Sequence, residues 1–500
     1  MTTPSMSMLT GATALGHVAE LRSTPLSLLE RFNRECGDLG QLRFAYQSVV
    51  IVNSPSLVGE LLVEKARSFR KSRFIRAMLH PFVGDGLFTS EGDLWRRQRK
   101  VMAPIFHPGN LGTFADAMTG AATRCVDTWR SGQVVDVSRE TTRIAMSVAG
   151  TTLFGIDTFD EADELGEALT VALRWASEAS ASLGLLGQVE LSFGVRRVAR
   201  WLRIDQQEGT RARRLVDGAV ERLERPILLP GRRTSELRRA IAVLDERVAR
   251  MIADRRASAM ERPDLLTRLL VSRDEQGRPM SDRQLRDEIL TLFVAGHETT
   301  ATALAWAFYL LARHPDALAR LESEVAELGG RLPTPADLPR LGYALAVFKE
   351  SLRMYPPVPY YEREALEPVE IANRAFAPGT YFGVLPWAIH HRADWWPEPR
   401  RFDPLRHSPD LEEARPRYAY IPFGAGPRVC IGNHFALMEG PLVLATIVQR
   451  ARLVPESPRE VLPDPVALTF RPLGGIPMRA HLRSRLLGSP RSDSAVSESR

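Results

Sequence analysis

The decapeptide Phe423-Gly424-Ala425-Gly426-Pro427-Arg428-Val429-Cys430-Ile431-Gly432 constrains this chain more than any other stretch. It sets one cysteine on a short loop, with two glycines and a proline before it and a glycine after it. A long apolar helical pattern, Phe435 to Arg450, lies beyond. Glycines let the backbone take unusual dihedrals and come close to a flat ligand. Proline stiffens the loop and removes a competing donor. A cysteine just ahead of a helix sits at its positive end, where free amide hydrogens favour the thiolate. An electron-rich sulfur caged in this way suits the axial position of a haem iron. The alternative reading is a buried structural cysteine in a turn.

With 500 residues the chain exceeds a typical domain of about 100–200 residues. No internal repeat or long linker divides it. One large, mainly helical unit with small β-sheets is expected over residues 1–487, with 1–39 as a lead-in. The tail from Gly488, rich in serine, is expected to be disordered. Three cysteines, Cys36, Cys125 and Cys430, are too few and too scattered for a disulfide framework. That fits a reducing compartment and leaves Cys430 free. Met1 to Val50 contains no apolar run near the 18 or so residues of a membrane span and no secretory leader pattern. A soluble, cytoplasmic protein without a transmembrane anchor is expected. Of 66 basic residues only Lys65, Lys71, Lys100 and Lys349 are lysine, a bias that suggests a GC-rich bacterial genome. The net charge is +6. The arginines lie beside acids in helical patterns, without aromatic interleaving, so no nucleic-acid partner is expected. A basic patch for an acidic electron-transfer protein, or a solvated face, are the readings that remain.

Along the chain, alternation over 40–65 predicts a hairpin followed by a helix, and residues 80–94, with three glycines, read as a loop. A helix is expected from about Leu94 to Phe106, and helical patterns over 112–182 and 190–257. The second is arginine-rich and is interrupted by an apolar tip at Pro226–Gly231 that could border an entrance. Ser281 is placed to cap a long helix ending at His314-Pro315. A further helix spans about Leu341 to Met354. Short strands are expected over 366–386, and residues 392–422 are proline-rich and irregular.

Three more constellations carry chemistry. The long helix contains Ala295-Gly296-His297-Glu298-Thr299-Thr300. Ala295 and Thr299 share a face. Small residues let a planar group approach, and a helical threonine can bond the carbonyl four residues back or leave it for a better partner. Glu298 is an acid in an apolar helix, costly unless used or paired. Glu350-Ser351-Leu352-Arg353 puts a carboxylate and a guanidinium on one helix face. Trp95-Arg96-Arg97-Gln98-Arg99 puts an aromatic ring and an arginine four apart.

These motifs, in this order, resemble the cytochrome P450 family over about residues 40–485. The cysteine loop is similar to its haem-binding signature, and the Ala295–Thr300 stretch to its oxygen-activation motif. Glu350 and Arg353, followed by Tyr355-Pro356-Pro357, resemble its Glu-x-x-Arg helix, and Trp396 to Arg406 its stretch before the cysteine. The resemblance implies a triangular, mostly helical prism with a small β lobe. It implies haem b (iron protoporphyrin IX), with Cys430 as axial ligand and Phe423, Ala295 and Gly296 against the ring. Trp95, Arg99, Arg363 and Arg428 would hold the propionates, carboxylates that suit a fork-shaped donor. Glu350, Arg353 and Arg406 would form a buried ion triad. The family often has phenylalanine after that last arginine; here it is His407. Glu298 and Thr299 would relay protons for splitting O2. Phe82, Phe88, Leu292, Ala295 and Val358 would contact substrate, with Pro359 and Thr299 beside them. The activity implied is hydroxylation of a lipophilic fatty acid- or terpenoid-like molecule. Electrons would come from a separate ferredoxin and its reductase, docking behind Cys430. A peroxide-driven or rearranging haem-thiolate enzyme and a non-catalytic haem sensor are the other classes.

Overall fold

Ser281 starts the longest helix among the described residues, Asp282–Arg313, by accepting a hydrogen bond from the Gln284 amide at 3.2 Å. The helix stops where His314-Pro315 follows, and Pro315 opens the next helix at its first turn. The computed structural model describes residues 6–487, except 12, 14, 15, 45, 46, 161, 181–186, 189, 190, 193, 196, 197, 200, 203, 205–209, 225–230, 259–263, 466, 485 and 486. The expected disordered tail, and all of the Pro226–Gly231 tip but its last residue, lie outside that set.

From Leu285 to Leu311 the central helix is buried on nearly every side, as a helix apolar all round requires. Helix Val137–Phe154 lies along it, with Phe154 stacked on Phe293 at 5.7 Å between ring centres. Helix Gly342–Met354 crosses it where the Ser351 hydroxyl donates to the Ala303 carbonyl at 2.8 Å. Helix Asn433–Arg450, which follows the cysteine, packs on both. Its approach to Gly342–Met354 depends on Gly440, where a Cβ would fall 2.4 Å from the Phe348 ring. These elements share one large apolar core.

The strands are short: β1 (Ser7–Met8), β2 (Leu39–Phe44), β3 (Gln47–Val52), β4 (Phe69–Lys71), β5 (Val134–Asp136), β6 (Tyr361–Ala365), β7 (Val369–Ile371), β8 (Arg374–Phe376), β9 (Tyr381–Val384), β10 (Ala451–Pro455) and β11 (Pro477–Leu482). The largest sheet runs β1-β2-β3-β9-β6-β4, a second β10-β11-β5, and a third is the hairpin β7-β8. The β2–β3 hairpin is where the alternating pattern put it, and the lead-in supplies β1 and helix Pro25–Cys36. In the largest sheet Lys71 of β4 stands opposite Arg363 of β6, which sets two cations side by side.

The segment 80–94 departs from the expected loop. Residues 80–83 close helix Arg73–Val83, and only 84–91 form turns before helix Gly92–Met102. Pro81 sits inside the first of these helices, and local pattern reading takes such a proline as a breaker. No helix among the described residues is long and apolar enough to cross a membrane.

Candidate functional site

The cysteine loop is held by its own backbone. The Cys430 amide donates to the Phe423 carbonyl at 2.9 Å, closing the loop around a one-turn helix, Gly426–Arg428. Gly426 has φ +70°, and a Cβ there would fall 1.9 Å from the Leu62 carbonyl oxygen, so no other residue fits. The Tyr361 hydroxyl donates to the Ile421 and Pro422 carbonyls and pins the loop's entry. Cys430 stands three residues ahead of helix Asn433–Arg450. Burial pushes its thiol above the ordinary value, while the Gly432 amide and the Arg99 guanidinium pull the other way. The side chain itself is exposed on the face of the loop. An accessible sulfur with two partial stabilisers fits a site where a metal ion supplies the remaining positive charge.

Around this loop the protein gathers cations with too few anions. The Arg99 guanidinium donates to the Val429 carbonyl at 2.8 Å. Arg428 lies over the Trp95 ring at 4.1 Å and pairs with Glu91. Burial and then the nearby Arg428 charge push Arg363 down to about 10. Burial pushes the Lys71 ammonium down to about 7, with Arg428 and Arg363 also acting against its charge. Arg428 Nη1 is buried with no hydrogen-bond partner. Four cations with Glu91 between them are a costly arrangement for a protein by itself. They fit a ligand that brings carboxylates, as the two propionates of haem do.

Behind the loop lies the ion network. Glu350 and Arg353, both fully buried, form a bidentate pair with two 2.8 Å bonds. Arg353 also donates to the carbonyls of His390, Pro399 and Arg401. Arg406, the expected third member, is looser: its Nε lies 3.6 Å from Glu350 and its Nη2 donates to the Glu398 carbonyl. The closer third partner is His407, with Nε2 3.1 Å from Glu350 and Nδ1 3.2 Å from Glu412. The residue that departs from the family pattern thus joins the charges. Burial pushes Glu350 up, but Arg353 and His407 hold it down at about 2.

On the central helix, the Thr299 hydroxyl donates to the Ala295 carbonyl at 2.7 Å, the bond its spacing predicts. Glu298 accepts from the Thr469 hydroxyl at 2.9 Å. His297 is buried, with its Nδ1 donating to the Phe293 carbonyl at 2.7 Å and its Nε2 3.9 Å from Glu298. Ala295, Glu298, Thr299, Phe88, Val358 and Pro359 all line one cavity of about 400 Å³ whose walls are mostly apolar. It extends outward to Val18, Leu21 and Arg22. Glu439 of the cysteine helix is buried, and burial pushes its carboxyl up to about 8, with the Thr300 side chain acting in the opposite direction.

Two residues expected to contact substrate are elsewhere. Phe82 is 1 % exposed and packs in a core cluster with Leu79 and Leu237, because it belongs to a helix and not a loop. Leu292 is 5 % exposed and faces the main core. Neither lines the cavity. Gly296 is turned toward helix Val137–Phe154, where a Cβ would meet Ala149 Cβ at an ordinary 3.7 Å. That contact does not require a glycine, and Ala295 is the small residue that lines the cavity. Sequence reasoning missed Lys71, Glu91 and Thr469. No motif marks them, although a lysine in a chain with so few was a signal.

The family described as Cytochrome P450 matches residues 7–186 and 222–475. Cyclooctatin synthase of Streptomyces melanosporofaciens is 33% identical, over 93% of this chain and 94% of its own. Cyclooctat-9-en-7-ol 5-monooxygenase of the same organism is 33% identical, with 88% of each chain covered. Pentalenene oxygenase of Streptomyces avermitilis is 29% identical over 92% of this chain and 93% of its own. The crystal structure of the cytochrome P450DA haem domain superposes with a TM-score of 0.78 at 25% identity, covering 96% of this chain and 99% of that one. Matches of this extent agree with the cysteine loop, the cation cage and the buried Glu350–Arg353 pair: the chain belongs to the cytochrome P450 family, as a haem-dependent monooxygenase.

Proposed function

We propose that this enzyme hydroxylates a lipophilic, terpenoid-like small molecule in the cavity beside Thr299, using O2 and electrons from a separate ferredoxin and reductase. The cavity itself carries the reading: an apolar enclosure whose polar groups include the Glu298 carboxylate and the Thr299 hydroxyl side by side. Apolar walls recognise shape and exclude water, and a few polar groups set orientation. Relatives named for pentalenene and cyclooctat-9-en-7-ol favour ring alkenes over fatty acids.

Haem b, bound through Cys430, supplies the oxygen chemistry. The chain's own residues have four tasks. Cys430 presents its sulfur from a loop that cannot relax, because Gly426 is wedged against Leu62. Arg99, Arg363, Arg428 and Trp95, with Lys71 beside them, would receive the propionates. Phe423, on the cysteine loop, and Ala295, on the central helix, would flank the ring. Thr299 can release the Ala295 carbonyl and turn its hydroxyl into the cavity, while Glu298 stores and returns the proton that the reaction consumes. The shared placement of Glu298 and Thr299 favours a monooxygenase over a peroxide-driven enzyme, for which stored protons would be idle. The reading also places the protein in a bacterial cytoplasm.

The test is the carbon monoxide difference spectrum of the reduced protein beside Cys430→Ser. A strongly red-shifted band present only in the native protein is expected. A band surviving in the variant would sink the axial assignment. Titration with cyclic terpenes and with fatty acids then reads the substrate class, and turnover with ferredoxin, reductase and NADPH against peroxide alone reads the electron source.

A further inference from the structure

Glu298 borders two cavities, and they differ in character. One is the apolar cavity described above. The other, of about 350 Å³, lies on the far side of the helix and is lined by Arg139, Arg143, Glu167, Asp464 and Arg471. Arg139, Glu167 and Gly474 on its rim are exposed, so it opens to solvent. Thr299 lines only the apolar cavity; Ala301, Thr302 and Ala305, the next turn of the helix, line only the charged one. Glu298 is therefore the helix residue at the partition.

His297 Nε2 stands 3.9 Å from Glu298 Oε2, and the closer partner of the carboxyl is Thr469. Its hydroxyl donates to Glu298 Oε1 from the loop that closes both cavities. That loop is fixed at its neighbours. The Trp306 indole donates to the Phe470 carbonyl at 2.6 Å, and the Phe470 amide donates to Pro357. Arg471 holds Asp464 at 3.0 Å, and the amide of Asp464 returns to the Arg471 carbonyl. A threonine on such a support fixes the carboxyl it touches, and a carboxyl that shuttles protons needs a fixed position at each end of its path.

We infer that protons for the reaction enter through the charged cavity, and that Thr469 is the positioning residue that holds Glu298 at the partition between the two. The inference deepens the proposed function and rests on it. The balance is simple: Glu298 gives one proton toward the apolar cavity and, as carboxylate, takes its replacement from water in the charged cavity. No bond other than O–H is made or broken by the chain.

Thr469→Val removes the hydroxyl at nearly constant shape, and Thr469→Ser restores it. Two readouts apply. The first is the C–O stretching band of the reduced carbon monoxide complex, which senses polar groups in the cavity without turnover. The second is the share of electrons released as peroxide. In Thr469→Val we expect a shifted or broadened band and a peroxide share raised about fivefold, below the hundredfold or more that losing a proton donor outright can cost; the serine variant returns both. Thr170→Leu, which narrows the charged cavity from helix Ala162–Ser180, should raise peroxide with the C–O band unmoved. An unchanged band and unchanged coupling in Thr469→Val, with coupling lost in Glu298→Gln, would overturn the inference and leave the proposed function standing. Full coupling in Glu298→Gln would remove both.

Discussion

The two sides of this molecule handle charge in opposite ways. Behind the cysteine loop, each ionised group has several partners. Glu350 meets Arg353 twice, Arg406 and His407, and accepts from the Asp403 amide as well. Glu412 meets both Lys349 and His407. On the cavity side, Thr299 donates one hydrogen bond, to Ala295, while Glu298 accepts one from Thr469 and has only His297 Nε2 beside it, at 3.9 Å. A group with several partners cannot move without stranding a buried charge. A group with one can exchange it. The first arrangement fixes the loop that carries the sulfur, and the second leaves the Thr299 hydroxyl free to change its partner.

Removing the most heavily partnered cation should therefore do the most damage to the fold. Arg353→Ala leaves Glu350 buried and short of its bidentate partner, at a cost of about 3–5 kcal/mol. We expect little folded protein, and haem content and urea unfolding midpoint are the measurements. Retention of full haem content would break the contrast.

Acid should reach the same side next. Glu350 titrates at about 2 in the folded chain and near its ordinary value when unfolded. Its contribution is fully present above about pH 4.5 and is lost as pH falls toward 2, a span worth about 3 kcal/mol. Glu412, held down to about 2 by His407 and Lys349 against burial, adds in the same direction with a discount for its partial exposure. Melting temperature followed from pH 5 to pH 2 should fall steeply, and Glu350→Gln should flatten the fall. Glu439 on the other side has the opposite sign. Burial raises it to about 8, so the folded chain binds the extra proton and its contribution declines as pH rises from about 4.5 to 8.

Thr299→Ala sharpens the contrast from the cavity side. It removes one hydrogen bond to a helix carbonyl that keeps its backbone partner, so stability should change by less than about 1 kcal/mol. Coupling of electrons to product should fall about tenfold or more. Peroxide release and thermal melting, measured together, separate the two effects. A large loss of stability would mean that Thr299 is a structural residue.

The same division decides how much was legible in the sequence. The cysteine loop, the Ser281 cap and the Glu350–Arg353 spacing were readable because each is local, with its partners within a few residues. Phe82 and Leu292 were misplaced because the face a helical residue presents is set by what packs against it, and no local pattern carries that. Lys71, Glu91 and Thr469 act across long chain separations and belong to no motif.

His407→Phe, which installs the family's common residue, should have the smallest effect. Glu350 keeps Arg353 on both oxygens, and Glu412 keeps Lys349 on both. The ring would enter an aromatic setting already made by Trp396 and Tyr420. Neither carboxylate is left bare, so the loss is that of exchangeable hydrogen bonds, about 1–2 kcal/mol, offset in part by the larger apolar ring. The expected result is full haem content with a melting temperature lowered by a few degrees. Haem loss on the scale of Arg353→Ala would show that the histidine is a principal member of the network, and the partners on this side would then be less redundant than their number implies.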